Sequence, residues 1–108
     1  MKNQEKQYKS TTHEERFTHI RTELQSDKYS GATVFTRKES DGQWWAAVAL
    51  CYKADQFDRS RGRKNARRNY FKDMYGAVRV IGCLGSEWDF DRILRYANDR
   101  AYASEVRA

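Results

Sequence analysis

These residues point to a small α+β domain, with element order α-β-β-α-β-α and a three-stranded mixed sheet packed by helices. Three observations carry that expectation. Two β-type runs, Ala32 to Lys38 and Trp44 to Tyr52, flank an Asp41-Gly42 turn. The stretch from Asp55 to Tyr70, DQFDRSRGRKNARRNY, reads as a helix that begins acidic and turns cationic. Near both ends of the chain, apolar residues recur at the three- and four-residue steps of an amphipathic helix.

A length of 108 residues suits one domain with one modest core. Mean hydropathy is low, at -1.04, yet Phe, Trp and Tyr make up 14% of the chain, and a disordered chain rarely carries so many aromatics. There is no proline, no internal repeat and no linker. The domain is therefore expected to span residues 12–108, after a flexible polar N-terminal segment, residues 1–11.

Thr12 followed three residues later by Glu15 reads as a capping box, and Phe17, Ile20 and Leu24 then predict a first helix from about Glu14 to Gln25. Ser30-Gly31 ends that pattern. The first strand alternates Val34 and Thr36 against Thr33, Phe35 and Arg37, and the Asp-Gly turn closes a hairpin with the second. That second strand has no polar side. It should be the central strand, covered on both faces, with Trp44, Trp45, Val48, Leu50 and Cys51 in the core.

Asp55 reads as the N-cap of the basic helix and Asp58 as its reciprocal acid, with the helix continuing to Met74 and Gly76 ending it. Ala77 to Leu84 has the β-branched content of a third short strand. Ser86 and Asp89 then cap a last helix whose inward face holds Trp88, Ile93, Leu94, Ala97 and Ala101. A strand, helix, strand crossover normally produces a right-handed parallel pair. The third strand is accordingly placed parallel to the second, in sheet order 1-2-3, with 3-1-2 as the alternative.

The net charge of +6 is concentrated in one place. Between Lys53 and Lys72 stand eight basic residues against Asp55 and Asp58, so this segment accounts for the whole excess and the remainder sums to zero. At 100° per residue, Gly62, Ala66 and Tyr70 fall on one stripe, where two small residues let the helix approach the sheet closely. Arg61, Lys64, Arg68 and Lys72 fall together on the opposite side, with Arg63 and Arg67 on a flank. Arg59 projects nearer the inward stripe, where Asp55 or Asp58 can pair with it. Charge runs on helices are most often solvated faces. Here the like charges repel one another, however, and an anionic partner would turn that cost into binding energy. The predominance of Arg over Lys suits bidentate phosphate contacts, and Tyr70, Phe71 and Tyr75 are aromatics available for stacking on bases.

Catalytic readings fail on spacing. His13, Glu14 and His19 do not make HExxH, because histidines six residues apart do not share a helix face as four would allow. Glu87, Asp89 and Asp91 are more simply acids at a helix start than ion ligands. No phosphate-binding loop is present and no Ser or Cys nucleophile stands in an identifiable motif, so neither catalytic residues, cofactor nor metal is expected. Cys51 and Cys83 lack any metal or redox spacing and are expected as buried thiols. No apolar run approaches a membrane span, and the expected location is the cytoplasm.

The run from Cys51 to Arg68 resembles a segment of small accessory proteins of tailed bacteriophages, in which a strand ending in cysteine leads into Asp-x-Phe, a basic pair, Gly-Arg and alanine. The matching positions are Cys51, Asp55, Phe57, Arg59, Gly62, Arg63 and Ala66. Asn65 and Arg68 depart from it, standing where an aliphatic and a second small residue are usual. The resemblance implies shared architecture more strongly than shared activity, a bacterial host cell as the setting, and a protein that works by binding. The expected function is therefore non-enzymatic contact with nucleic acid through Arg61, Arg63, Lys64, Arg67, Arg68 and Lys72. The alternative is a modulator or inhibitor of a host defence or transcription protein, docking an acidic surface on the same helix.

Overall fold

The hairpin at the centre of the fold forms where its turn chemistry requires. The computed structural model describes residues 14–75, 82–85 and 89–107. In it, β2 (Tyr29–Lys38) and β3 (Trp44–Tyr52) pair antiparallel with Val34 opposite Val48. Gly42 adopts φ 83°, a left-handed conformation that favours glycine, and its N–H donates to the Glu39 carbonyl at 2.9 Å. Asp41 Oδ1 accepts the Gln43 N–H at 2.9 Å, fixing the turn from the other side.

Along β3 the side chains alternate between two apolar environments. Trp44, Ala46, Val48 and Leu50 meet one core, and Trp45, Ala47 and Ala49 meet a second. Each core is roofed by its own helix, as a strand apolar on both faces demands. Helix α1 (Arg59–Tyr75) closes the smaller core, with Ala66 and Tyr70 against Phe35 and Ala47. Helix α2 (Phe90–Arg107) closes the larger one, setting Ile93, Ala97 and Ala101 against Ile20, Ala32, Val34, Trp44, Ala46 and Leu84. Fully burying a side chain such as Ile93 or Val34 contributes about 1.5–3 kcal/mol, so these two layers supply most of the cohesion.

Several sequence expectations are corrected. Residues 14–25 do not form a helix. Glu14–Ile20 is a strand, β1, antiparallel to β2 with Phe17 opposite Phe35, and residues 21–25 form the turn that follows. The three- and four-residue steps of Phe17, Ile20 and Leu24 fit a helix, but residues 14–20 also fit the two-residue period of a strand. Phe17 and His19 point to the α1 side, while Ile20 enters the α2 core and Phe17 stacks on Phe35 at 5.1 Å. Contacts with β2 decided between the two periods.

Among the described residues the sheet accordingly has four strands in the order β1-β2-β3-β4, and the element order is β-β-β-α-β-α. The predicted order 1-2-3 holds for β2, β3 and β4, with β1 added outside. Strand β4 (Gly82–Gly85) runs antiparallel to β3, not parallel, and pairs only with Trp44 to Ala46. The crossover rule governs strands that run back beside their predecessor, and β4 merely touches the first three residues of β3. The predicted strand residues 77–81, Gly76, Ser86 and Trp88 lie outside the described residues, as do residues 1–13. Ser30-Gly31 does not break the pattern but sits inside β2 at a register shift.

Of the predicted core, Trp44 is buried, whereas Trp45, Val48, Leu50 and Cys51 are half-buried. Cys83 is exposed, which corrects its expected burial. Cys83 pairs with Trp45, six residues before Cys51 on β3, a separation of about 20 Å by strand rise that no disulfide spans. Among the described residues no helix is long and apolar enough to cross a membrane.

Candidate nucleic-acid interface

Helix α1 starts later than its sequence suggests, because Asp58 is the N-cap. Its Oδ1 accepts the N–H groups of Ser60 at 2.9 Å and Arg61 at 3.2 Å. Asp55, the predicted cap, instead donates its N–H to the Tyr52 carbonyl at 3.0 Å and closes the turn after β3. Only an acid at position 58 stands directly before the first helical turn.

The predicted inward stripe seats the helix. Gly62 lies over Thr33 so closely that a Cβ there would meet Thr33 Oγ1 at 2.2 Å. Ala66 and Tyr70 are fully buried, and Tyr70 packs edge-on against Phe35 at 5.1 Å. The Tyr70 hydroxyl donates to Glu39 Oε2. Burial, then that hydrogen bond and the Glu39 charge, push the phenol far above its ordinary pKa of 10.0. On the β3 side, Asn69 Nδ2 donates to the Val48 carbonyl at 3.0 Å.

With that stripe fixed, Arg61, Lys64, Arg68 and Lys72 all project into solvent. Among the described residues none of the four enters an ion pair, and Arg68 Nη2 donates to Asn65 Oδ1 at 2.9 Å along the same face. Arg61 also borders a cavity of about 230 Å³ between the end of β3 and the start of α1, where Thr33, Cys51, Asp55, Phe57 and Asn65 line the wall.

The flank residues face β1. Arg67 Nε lies 3.7 Å from Glu15 Oε1, and its guanidinium sits 4.8 Å from the Phe71 ring centre. Glu15 also pairs with Arg37 Nη1 at 3.1 Å, and Arg37 Nε pairs with Glu39 at 3.2 Å. These two acids are thus neutralised by β2 and leave the outward row of α1 untouched. Arg59 and Arg63 act on His19 through their charges, and among the described residues Arg59 forms no ion pair with Asp55 or Asp58. Burial, then the Arg59 and Arg63 charges, lower the His19 pKa below its ordinary 6.5. His19 Nδ1 and Thr33 Oγ1 are 2.9 Å apart.

The aromatic part of the sequence expectation changes. Tyr70 is wholly buried and unavailable for stacking, Phe71 is half-buried beneath Arg37 and Arg67, and the Tyr75 side chain lies outside the described residues. Phe17, on a strand and not on the expected helix, is an exposed aromatic on the α1 side of β1. The alternation of Glu15, Phe17 and His19 was the signal that pointed to it. Among the described residues, no group of three His, Cys, Asp or Glu side chains converges in a way that would hold a metal ion.

No protein-family model, curated protein or solved structure matches this chain.

Proposed function

We propose that this protein binds nucleic acid, with α1 as the contact element. The observation that carries the reading is the outward row Arg61, Lys64, Arg68 and Lys72, four exposed cations with no acid paired to them among the described residues. Arg63 and Arg67 widen that row toward β1. The net charge of the whole chain resides in this segment, so its field is directed to one side and draws a polyanion there. Rigid seating by Gly62, Ala66 and Tyr70 lowers the ordering cost of presenting the row.

Fluorescence anisotropy with a labelled oligonucleotide across a salt series tests the reading. Each neutralised phosphate releases counterions, so the affinity should fall steeply between low and moderate salt. The double variant Arg61→Glu with Arg68→Glu should weaken binding and flatten the slope. A flat salt response in the unaltered protein sinks the proposal. If a discrete protein survives nuclease in a pull-down and is lost in the same double variant, the row serves an acidic protein surface instead.

A further inference from the structure

Between β1 and α1 lies a ledge whose two walls carry complementary chemistry. On α1, Arg59, Arg63 and Arg67 recur at four-residue steps and therefore share one flank of the helix. On β1, Glu15, Phe17 and His19 alternate with Arg16, Thr18 and Ile20 and so face the same side as α1. Two contacts fix the alignment. Arg67 meets Glu15 at one end, and at the other Gly62, the residue before Arg63, lies over Thr33, whose Oγ1 is 2.9 Å from His19 Nδ1, so the elements run in opposite directions with Phe17 between.

Their lengths agree: residues 15 to 19 of a strand rise about 13 Å, and residues 59 to 67 of a helix about 12 Å. Phe17 is 37% exposed on this ledge, and its ring is held against Phe35 at 5.1 Å with a 43° tilt. Arg21 extends the basic wall beyond His19, its guanidinium 4.8 Å from the Phe57 ring centre, and Phe57 in turn packs edge-on against His19 at 5.9 Å.

We infer that this ledge is a single-strand site: phosphates of an unpaired stretch of nucleic acid lie along Arg59, Arg63 and Arg21, and one base stacks on Phe17. The inference rests on the nucleic-acid reading of α1 and adds to it the form of the ligand. An aromatic face fixed beside a line of guanidinium groups matches the two repeating features of a single strand, its charges and its unsatisfied base faces. A duplex keeps its bases stacked on one another and gives Phe17 nothing to cover. Glu15 closes the ledge at the Arg67 end, because its carboxylate repels phosphate and already holds both Arg67 and Arg37. The strand therefore leaves the ledge on the His19 side, toward Arg21.

Anisotropy at fixed salt tests this with a labelled oligothymidylate and a labelled blunt duplex of equal length. The duplex carries the denser charge, so a purely electrostatic surface binds it better. The ledge predicts the reverse order. Phe17→Leu keeps apolar volume but loses the flat ring, and should weaken the single strand about fivefold to a hundredfold, with Phe17→Tyr restoring it. Arg59→Gln should reduce the single-strand salt slope by about one. Far-UV circular dichroism and urea midpoints establish that the variants are folded. If the duplex binds as well as or better than the single strand, or if folded Phe17→Leu binds like the unaltered protein, the ledge proposal is overturned while α1 keeps its role. If neither probe binds in a salt-sensitive way, both proposals fall.

Discussion

Replacing Gly62 with alanine should destabilise this protein, against the usual behaviour of a glycine in a helix. Alanine at an ordinary exposed helix position gains about 1 kcal/mol over glycine. Here the added methyl group would stand 2.2 Å from Thr33 Oγ1 and 3.0 Å from Thr33 Cβ. Thr33 has no room to yield, being 1% exposed in the middle strand of the β1-β2-β3 array with its hydroxyl set against His19. Helix α1 must therefore lift, loosening Ala66 and Tyr70 from Phe35 and Ala47. Overpacking of this kind costs about 2–3 kcal/mol, and the propensity gain leaves a net loss of about 1–2 kcal/mol. Urea unfolding followed by circular dichroism should show a lower midpoint with an unchanged slope. In the Gly62→Ala background, Thr33→Ala should cost less than it does alone, a coupling of about 1 kcal/mol between touching sites. A stabilised Gly62→Ala protein, or strictly additive effects, would refute the close seating of α1.

Other expectations concern groups with perturbed environments. Asp58→Ala removes the acceptor for two N–H groups of α1 and should cost about 1 kcal/mol in the same urea assay. Tyr70→Phe removes the hydrogen bond to Glu39 and should cost about 1 kcal/mol at neutral pH. The folded state holds the Tyr70 proton more tightly than the unfolded state does. Its stabilisation is therefore complete below about pH 10 and is lost as the pH rises further, so Tyr70→Phe should show a shallower alkaline decline in midpoint. His19 behaves in the opposite sense. Its folded pKa lies below the unfolded value, so the unfolded chain takes up a proton first and stability falls as the pH drops through about 6.5. Midpoints measured between pH 7.5 and 5 should fall less steeply in His19→Gln, and an unchanged profile would contradict the partial burial of His19 within the field of Arg59 and Arg63.

Legibility differed between elements for identifiable reasons. The hairpin was readable because Asp41-Gly42 demands a turn and β3 carries no polar side. Helix α1 was readable because Gly62, Ala66 and Tyr70 fall on one stripe whatever lies beneath them. The last helix was readable in part: Ile93, Ala97 and Ala101 are fully buried, and Leu94 packs half-buried against the same core. Strand β1 was not readable, since seven residues that fit both periods are assigned only by their partner, here the long strand β2. That error carried into the site, because Phe17 and His19 enter the ledge only when residues 14–20 are a strand.

Residue order was enough for a small α+β chain with both faces of its central strand covered, and for a helix that carries all the net charge and turns Arg61, Lys64, Arg68 and Lys72 away from its glycine-alanine stripe. These are local properties, set by periodicity, turn chemistry and the angle between neighbouring side chains. The packed fold alone sets β4 antiparallel to β3 and brings Arg67 of α1 to Glu15 of β1, two residues from Phe17. Each depends on which distant segments meet, and that is fixed by the packing of two cores rather than by any stretch of residues read alone.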